Sequence, residues 1–405
     1  MNAGVKPPFL PYGRQVIEDD DIAAVVAALK SDYLTTGPRV AEFEAALAEA
    51  TGAKHAIACS NGTAALHLAA RALNLGPGTT TIVPAITFLA SANAIRLHGG
   101  DVVFADVDPD TGLMRPQDLV EALVRCPHGK ADAVVNVHLG GQCGDIAAIH
   151  RIAKAIGMRV IDDACHALGT TVRINGVSHK IGGNDFADVT CFSFHPVKTI
   201  AMGEGGAVTT SDAALAKFIA RDRTHGMSRD AHTFTQAADA FDTNGEANPW
   251  YYEMAEPGLN YRVPDILCAL GLSQIAKLGR FVTRRRALVA TYDALLQQLA
   301  PHVTPLRRTA NVDAAWHLYI ALIDFAALGL DRANLMRRLS AQGIGTQVHY
   351  FPVYRQPYYK AKHPSLNLPG AEHYYRRCLS LPLYPTMSTD DVTRVVSAIK
   401  RAIKG

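Results

Sequence analysis

From about residue 54 to 210 the chain alternates short apolar runs with longer amphipathic stretches. The runs are His55–Cys59, Thr81–Val83, Val102–Ala105, Ala133–Val137 and Arg159–Asp162. Between them lie stretches with helical spacing, such as Ala64–Leu73 and Ile146–Ile156. A strand covered on both faces reads as a continuous apolar run, and parallel neighbours are joined by helices. The pattern therefore predicts an α/β fold, a mostly parallel sheet with helices on both faces. A strand over 207–210 and a helix over 212–222 continue it. Sheets of this kind bind ligands beyond the carboxyl ends of their strands, so the residues closing each run are the candidates for function.

Three closing segments carry chemistry. Ser193-Phe194-His195-Pro196-Val197-Lys198 leads through glycines into Ala207-Val208-Thr209-Thr210. A lysine amine held in a partly desolvated pocket is favoured neutral and can attack an aldehyde, which is what a pyridoxal phosphate (PLP) Schiff base requires. The ordinary reading is a loop lysine with its head in water. Val160-Ile161-Asp162-Asp163-Ala164-Cys165-His166 ends a strand in acid. There Asp163 can hold a pyridine nitrogen protonated, or simply cap the next helix; His166 can lie against the ring, or be a core histidine. Cys59-Ser60-Asn61-Gly62-Thr63-Ala64 opens a helix whose N–H groups and Thr63 hydroxyl suit a phosphate, or are ordinarily capped. Phe88, after another strand, stacks on a ring or fills the core.

Composition narrows the classes. In 405 residues 48% are apolar and 19% charged, which allows a sizeable core. A net charge of +3 implies neither nucleic acid nor a membrane surface. The seven cysteines are scattered singly, which points to reduced thiols in a cytoplasm and against disulfides or a metal site. No secretory signal or apolar run long enough to span a bilayer is read. No Gly-x-Gly-x-x-Gly turn marks a dinucleotide site.

Helices are predicted over 18–31 and 39–51, with Leu34-Thr35-Thr36-Gly37-Pro38 as a loop between them. Residues 226–257, rich in Asn, Asp, Gly and aromatics, read as an insertion near the site or a subunit boundary. Helices over 264–277 and 280–299 follow. Further on, strands near 316–323 and 344–349 and helices near 331–342, 370–379 and 388–402 predict a smaller α/β domain. The boundaries drawn are 1–261 and 262–405.

The order of phosphate turn, aromatic, acid three residues before a histidine, then Ser-x-x-x-x-Lys resembles the fold-type I PLP enzymes. More closely it resembles the DegT/DnrJ/EryC1/StrS nucleotide-sugar aminotransferases, over nearly the whole chain. Further matching segments are Pro11-Tyr12-Gly13-Arg14-Gln15, Val137-His138-Leu139-Gly140-Gly141-Gln142, Gly258-Leu259-Asn260-Tyr261-Arg262 and Val348-His349-Tyr350-Phe351-Pro352. The resemblance implies a large PLP-binding domain with a mostly parallel seven-stranded sheet and a smaller C-terminal domain. It implies that Lys198 carries the cofactor and moves protons, that Asp163 pairs with the pyridinium, and that His166 lies beside the PLP oxygen. Thr63, Ala64 and Ser193 would hold the phosphate and Phe88 would stack on the ring. Asn260 would come from the neighbouring subunit of a homodimer. Tyr12, Thr36, His349 and Tyr350 fall in segments near the sugar nucleotide. Arg14, Arg229 and Arg262 are candidates for an anionic group. His195 would shape the lysine loop and Asp162 be structural.

Lysine at 198, where the family's dehydratases carry histidine, favours transamination. The wording around Lys198 and His349 is nearest to pseudaminic-acid pathway members, which implies amino transfer from L-glutamate to carbon 4 of a UDP-4-keto-6-deoxy-N-acetylhexosamine. The turn Ser-Asn-Gly-Thr departs from that group. GDP-perosamine or dTDP-amino-sugar synthesis, or a non-catalytic PLP-binding regulator, are the alternatives.

Overall fold

A computed structural model describes residues 8–404. Helices α1 (Asp19–Leu29) and α2 (Pro38–Thr51) come first. Then β1 (His55–Cys59), α3 (Gly62–Ala72), β2 (Thr80–Pro84), α4 (Leu89–Leu97), β3 (Asp101–Ala105), α5 (Pro116–Arg125), β4 (Ala133–Val137), α6 (Ile146–Ala155) and β5 (Arg159–Asp163) alternate. A hairpin of β6 (Thr171–Ile174) and β7 (Val177–Lys180) precedes β8 (Val189–Ser193), β9 (Gly206–Thr210) and α7 (Ala213–Asp222).

The seven-stranded sheet has the order β1-β9-β8-β5-β4-β2-β3. All neighbours pair parallel except those of β9, which runs antiparallel to both β1 and β8. That exception follows from the lysine loop. A connection of twelve residues without a helix returns the chain beside β8 in the opposite sense. Every residue of β2, β4 and β9 is buried, as strands covered on both faces should be. Within β4 the one polar side chain, Asn136, donates to Asp162 Oδ1 at 3.1 Å. The other carboxylate oxygen of Asp162 lies 3.2 Å from His138 Nε2. Asp162 is thus spent inside the fold.

The segment after α7 contains the two-residue strands β10 (Met227–Ser228) and β11 (Glu253–Met254), paired antiparallel, with α8 (Ala237–Ala240) between them. Phe234 packs edge-on against Tyr251 at 4.9 Å, and the Glu253 carboxylate accepts the Thr235 and Gln236 N–H groups at 2.8 Å. The stretch read as an insertion is a small folded lobe.

The rest comprises α9 (Asp265–Ile275), α10 (Leu278–Leu296), β12 (Val303–Pro305), β13 (Val312–Asp313), β14 (Tyr319–Ile323), α11 (Arg332–Ala341), α12 (Pro357–Lys362), α13 (Pro369–Arg377), β15 (Cys378–Leu381) and α14 (Thr389–Lys404). A second core joins Leu288, Val289, Tyr292 and Leu296 of α10 to Tyr319, Ala321 and Ile323 of β14 and to Val392, Val395, Val396 and Ile399 of α14. Leu10 joins it from the N-terminal arm.

The expected boundary at 261/262 places α9 in the C-terminal part, whereas it packs on α1 and α2. Asp265 is buried and accepts the N–H groups of Gly37 (2.7 Å) and Arg39 (2.9 Å), so it caps α2 from a distance. Gln274 donates to Val16 O and Asp21 Oδ2. The C-terminal core therefore begins at α10. The expected strand over 344–349 is reduced to isolated bridges, Leu10 with Ile344 and Gln347 with Ser380, because its residues pair with different partners. Helix α13 stops at Arg377, and Cys378–Leu381 becomes a strand paired with β14.

Candidate active site

A cavity of about 790 Å³ opens at the carboxyl ends of the parallel strands. Its floor is made by three strand ends and one helix start. Strand β5 ends at Asp163, which is 6% exposed. Its Oδ2 accepts the Ser91 hydroxyl at 2.6 Å and its Oδ1 the Cys165 N–H at 3.2 Å. Thr87 Oγ1 lies 2.6 Å from Ser91 Oγ, so a short hydroxyl chain from α4 fixes the carboxylate's plane. Asp162 and Asp163 face opposite sides of the sheet, as successive strand residues must.

Strand β8 ends at Ser193, and the loop to β9 carries Lys198. The loop is pinned at its base by Phe194 N to Gly205 O and Met202 N to Phe194 O, both 2.8 Å. Lys198 lines the cavity with Asp163 and remains partly exposed to it. Burial lowers the pKa of its amine, against the opposing pull of Cys165 and Asp163. The neutral, nucleophilic form is therefore favoured relative to a solvated lysine.

Helix α3 starts beside Ser193. A Cβ placed on Gly62 would lie 2.8 Å from Ser193 Cβ, and one on Gly206 would lie 2.2 Å from Asn61 O. Glycine at both positions lets the helix start and two strand ends converge. Asn61 caps the helix, with Oδ1 accepting Ala64 N–H at 2.8 Å. The Ala64 N–H, expected to serve a phosphate, is held by this cap. The N–H groups of Gly62 and Thr63 have no acceptor among the described residues, and the Thr63 side chain lines the cavity.

The wall comes largely from the C-terminal unit. His317 is 3% exposed, and its ring centroid lies 4.4 Å from that of His166. His349 Nδ1 sits 2.7 Å from Ser380 Oγ, and its carbonyl accepts the Tyr374 hydroxyl at 2.7 Å. Burial keeps all three imidazoles neutral: the pKa values of His166 and His317 are pushed well down, and that of His349 to about 3, with Lys198 adding to each shift. Tyr350 stacks on His166 and packs against Phe88 at 6.0 Å. Tyr12 packs on His349 at 5.5 Å.

Of the residues singled out by sequence, Tyr12, Thr63, Ala64, Phe88, Asp163, His166, Ser193, Lys198, His349 and Tyr350 line this one cavity, as does His195. Phe88 is 56% exposed. Thr36 and Asn260 are exposed and lie outside the lining, as do Arg14, Arg229 and Arg262. Sequence reasoning missed Ser91, Cys165, Glu204 and His317. Ser91 had a faint signal, standing three residues after Phe88 and so on a helix face one turn along. His317 had none, because tertiary packing alone brings it to His166.

The chain belongs to the DegT/DnrJ/EryC1/StrS aminotransferase family, whose model matches residues 15–400. It is 39% identical over 400 residues to the spore coat polysaccharide biosynthesis protein SpsC of Bacillus subtilis (strain 168), a match covering 98% of each chain. Among solved structures, PseC of Helicobacter pylori, an aminotransferase involved in the biosynthesis of pseudoaminic acid, superposes with a TM-score of 0.87 at 28% identity, over 98% of this chain and 99% of that one. The PLP form of Spr1654 from Streptococcus pneumoniae gives 0.84 at 26% identity, over 99% of both. The protein is a PLP-dependent sugar aminotransferase with the corresponding fold.

The cavity fits that cofactor. It offers an amine favoured neutral and a fixed buried carboxylate. Unclaimed N–H groups at the start of α3 stand beside two hydroxyls, in the cradle that Gly62 leaves free. Among the described residues no single helix is long and apolar enough to cross a membrane.

Proposed function

We propose that this enzyme moves an amino group from L-glutamate to the 4-keto carbon of a UDP-4-keto-6-deoxy-N-acetylhexosamine, giving a 4-amino-4,6-dideoxy sugar nucleotide of the pseudaminic-acid type. The observation that carries the reaction class is a lysine amine favoured neutral and a fixed carboxylate facing one cavity. The likeness to PseC and the wording around Lys198 and His349 support the sugar.

The residue roles follow from the site's chemistry. PLP, when bound, supplies the electron sink that stabilises carbanion character at the reacting carbon. Lys198 carries the cofactor. Once freed, its Nζ takes the proton from the donor's α-carbon and delivers one to carbon 4 of the sugar. Asp163, oriented by Ser91, holds the pyridine nitrogen protonated. Gly62 and Thr63 N–H groups, with the Thr63 and Ser193 hydroxyls, bind the phosphate. Phe88 and His166, which line the cavity, would hold the ring from one face and from its edge. Tyr12, His349 and Tyr350, which line the cavity, contact the sugar nucleotide, whereas Thr36 lies outside its own chain's lining. Asn260, exposed and outside its own chain's cavity lining, serves the site of a second subunit in a cytoplasmic homodimer. The wall adds neutral donors and acceptors and excludes water, which strengthens each electrostatic contact inside.

A second reading, an aminotransferase for another surface-polysaccharide sugar, is favoured by the 39% identity to SpsC and by the Ser-Asn-Gly-Thr turn. Turnover of UDP-, GDP- and dTDP-4-keto-6-deoxy sugars with glutamate separates the two. The expected result is a 4-amino product from the UDP-N-acetyl sugar with ping-pong kinetics. Turnover confined to GDP or dTDP sugars would overturn the first reading.

A further inference from the structure

His166 is engaged at both ring nitrogens. Gly140 N–H donates to Nδ1 at 3.3 Å, and Nε2 lies 3.1 Å from the Tyr350 hydroxyl oxygen. An imidazole nitrogen that accepts an N–H bears no hydrogen, so Nδ1 is the bare nitrogen. The ring is neutral, because burial and the nearby Lys198 and His349 disfavour its charge. Its single hydrogen must then sit on Nε2, and the bond to Tyr350 runs from imidazole to hydroxyl. The backbone enforces this direction. Gly140 and Gly141 hold φ of +69° and +105°, and Gly140 O accepts the His317 N–H at 2.9 Å. A Cβ on Gly141 would lie 2.4 Å from Ala315 O. The loop therefore has little freedom to turn the Gly140 N–H away.

Tyr350 is left with an unspent proton. Its oxygen accepts from His166, its own O–H has no acceptor among the described residues, and it lines the cavity that holds Lys198. Burial keeps the hydroxyl protonated, with Asp163 and Cys165 adding to the shift.

We propose that His166 is a positioning residue that makes the Tyr350 hydroxyl a one-way donor to a ligand oxygen bearing no hydrogen. That chemistry has two sources, the ketone oxygen of the acceptor sugar and the deprotonated phenolic oxygen of the cofactor. An ammonium group cannot accept, so the device favours the keto substrate over its protonated amino product. The recipients rest on the function proposed above; the tautomer does not.

Three measurements test it. Nitrogen-15 spectra of the histidine-labelled, cofactor-free protein, with His166→Gln for assignment, should show His166 protonated at Nε2; protonation at Nδ1 overturns the proposal whatever the substrate. Tyr350→Phe removes only the hydroxyl. It should either raise KM for the keto sugar about tenfold with little change in kcat, or shift the pH midpoint of the bound cofactor's visible band. The first assigns the ketone and the second the phenolic oxygen, and neither change overturns the proposal. His166→Gln keeps a donor at the Nε2 position and should lose less than His166→Asn, which keeps only the Nδ1 position and should match Tyr350→Phe. Equal behaviour of the two His166 variants, with unchanged melting temperature, would sink it. A tenfold effect is the size of one neutral hydrogen bond.

Discussion

The cavity floor carries both Lys198 and Asp163, placed by strand ends that lie close together in the sheet. The wall contributed by the C-terminal unit holds His317, Gln347, Val348, His349, Tyr350, Phe351 and Gln356, none of them charged at neutral pH. The difference divides the labour. Asp163 closes a strand of the sheet, and Lys198 sits on the loop after β8, which backbone hydrogen bonds pin at its base. Neutral groups make up the wall, and among them Val348 and Tyr350 pack against the core around the seven-stranded sheet.

Four experiments would break or sharpen this contrast. Lys198→Ala should abolish the visible band of the lysine-bound cofactor and cut kcat by about 10⁴-fold or more, the upper range for removing a positioned proton carrier. A retained band with turnover would remove the floor from the mechanism. Asp163→Asn should cost about 10²-fold in kcat, as loss of one preorganised charge does, with cofactor still bound.

The wall should show itself through pH and stability instead. His349 has a folded pKa of about 3, below its unfolded value, so the unfolded chain binds the proton more readily. Stability is then intact above pH ~6.5 and declines as pH falls from there toward pH ~3. At pH 5 the loss from this residue should be about 2 kcal/mol, and His349→Gln should flatten the denaturation curve's pH dependence by that amount. An unchanged slope would mean that the imidazole is free to charge. The smallest effect belongs to the helix start. Asn61→Ala removes the cap on Ala64 N–H and should cost about 1 kcal/mol in denaturant unfolding.

Much of the floor was legible in the chain. Apolar runs in strict alternation with helical stretches predict the sheet, and Asp163, Ser193 and Lys198 are found where those runs close. These are local signals, since a strand's end and the loop after it are written in adjacent residues. The hairpin of β6 and β7 also had a local signal, Asn175-Gly176 with φ of +50° and +81°, which the reading passed over. The wall was less legible. His349 and Tyr350 came from resemblance, and His317 came from nothing. Asp265 reads as the first acid of α9, yet it caps α2, which lies more than two hundred residues earlier. No window of sequence contains such a pairing.

By itself the sequence determined the class of fold, the polarity of the strand ends, and which residue types stand there. Those depend on short-range periodicity and on the few residues able to close a strand or start a helix. Tertiary structure alone decided that α9 joins the N-terminal helices, that Ser91 orients Asp163, and that a glycine N–H sets the direction of the bond between His166 and Tyr350. Each of these is a contact between distant segments, fixed by how buried surfaces meet and by the need of every buried donor for an acceptor.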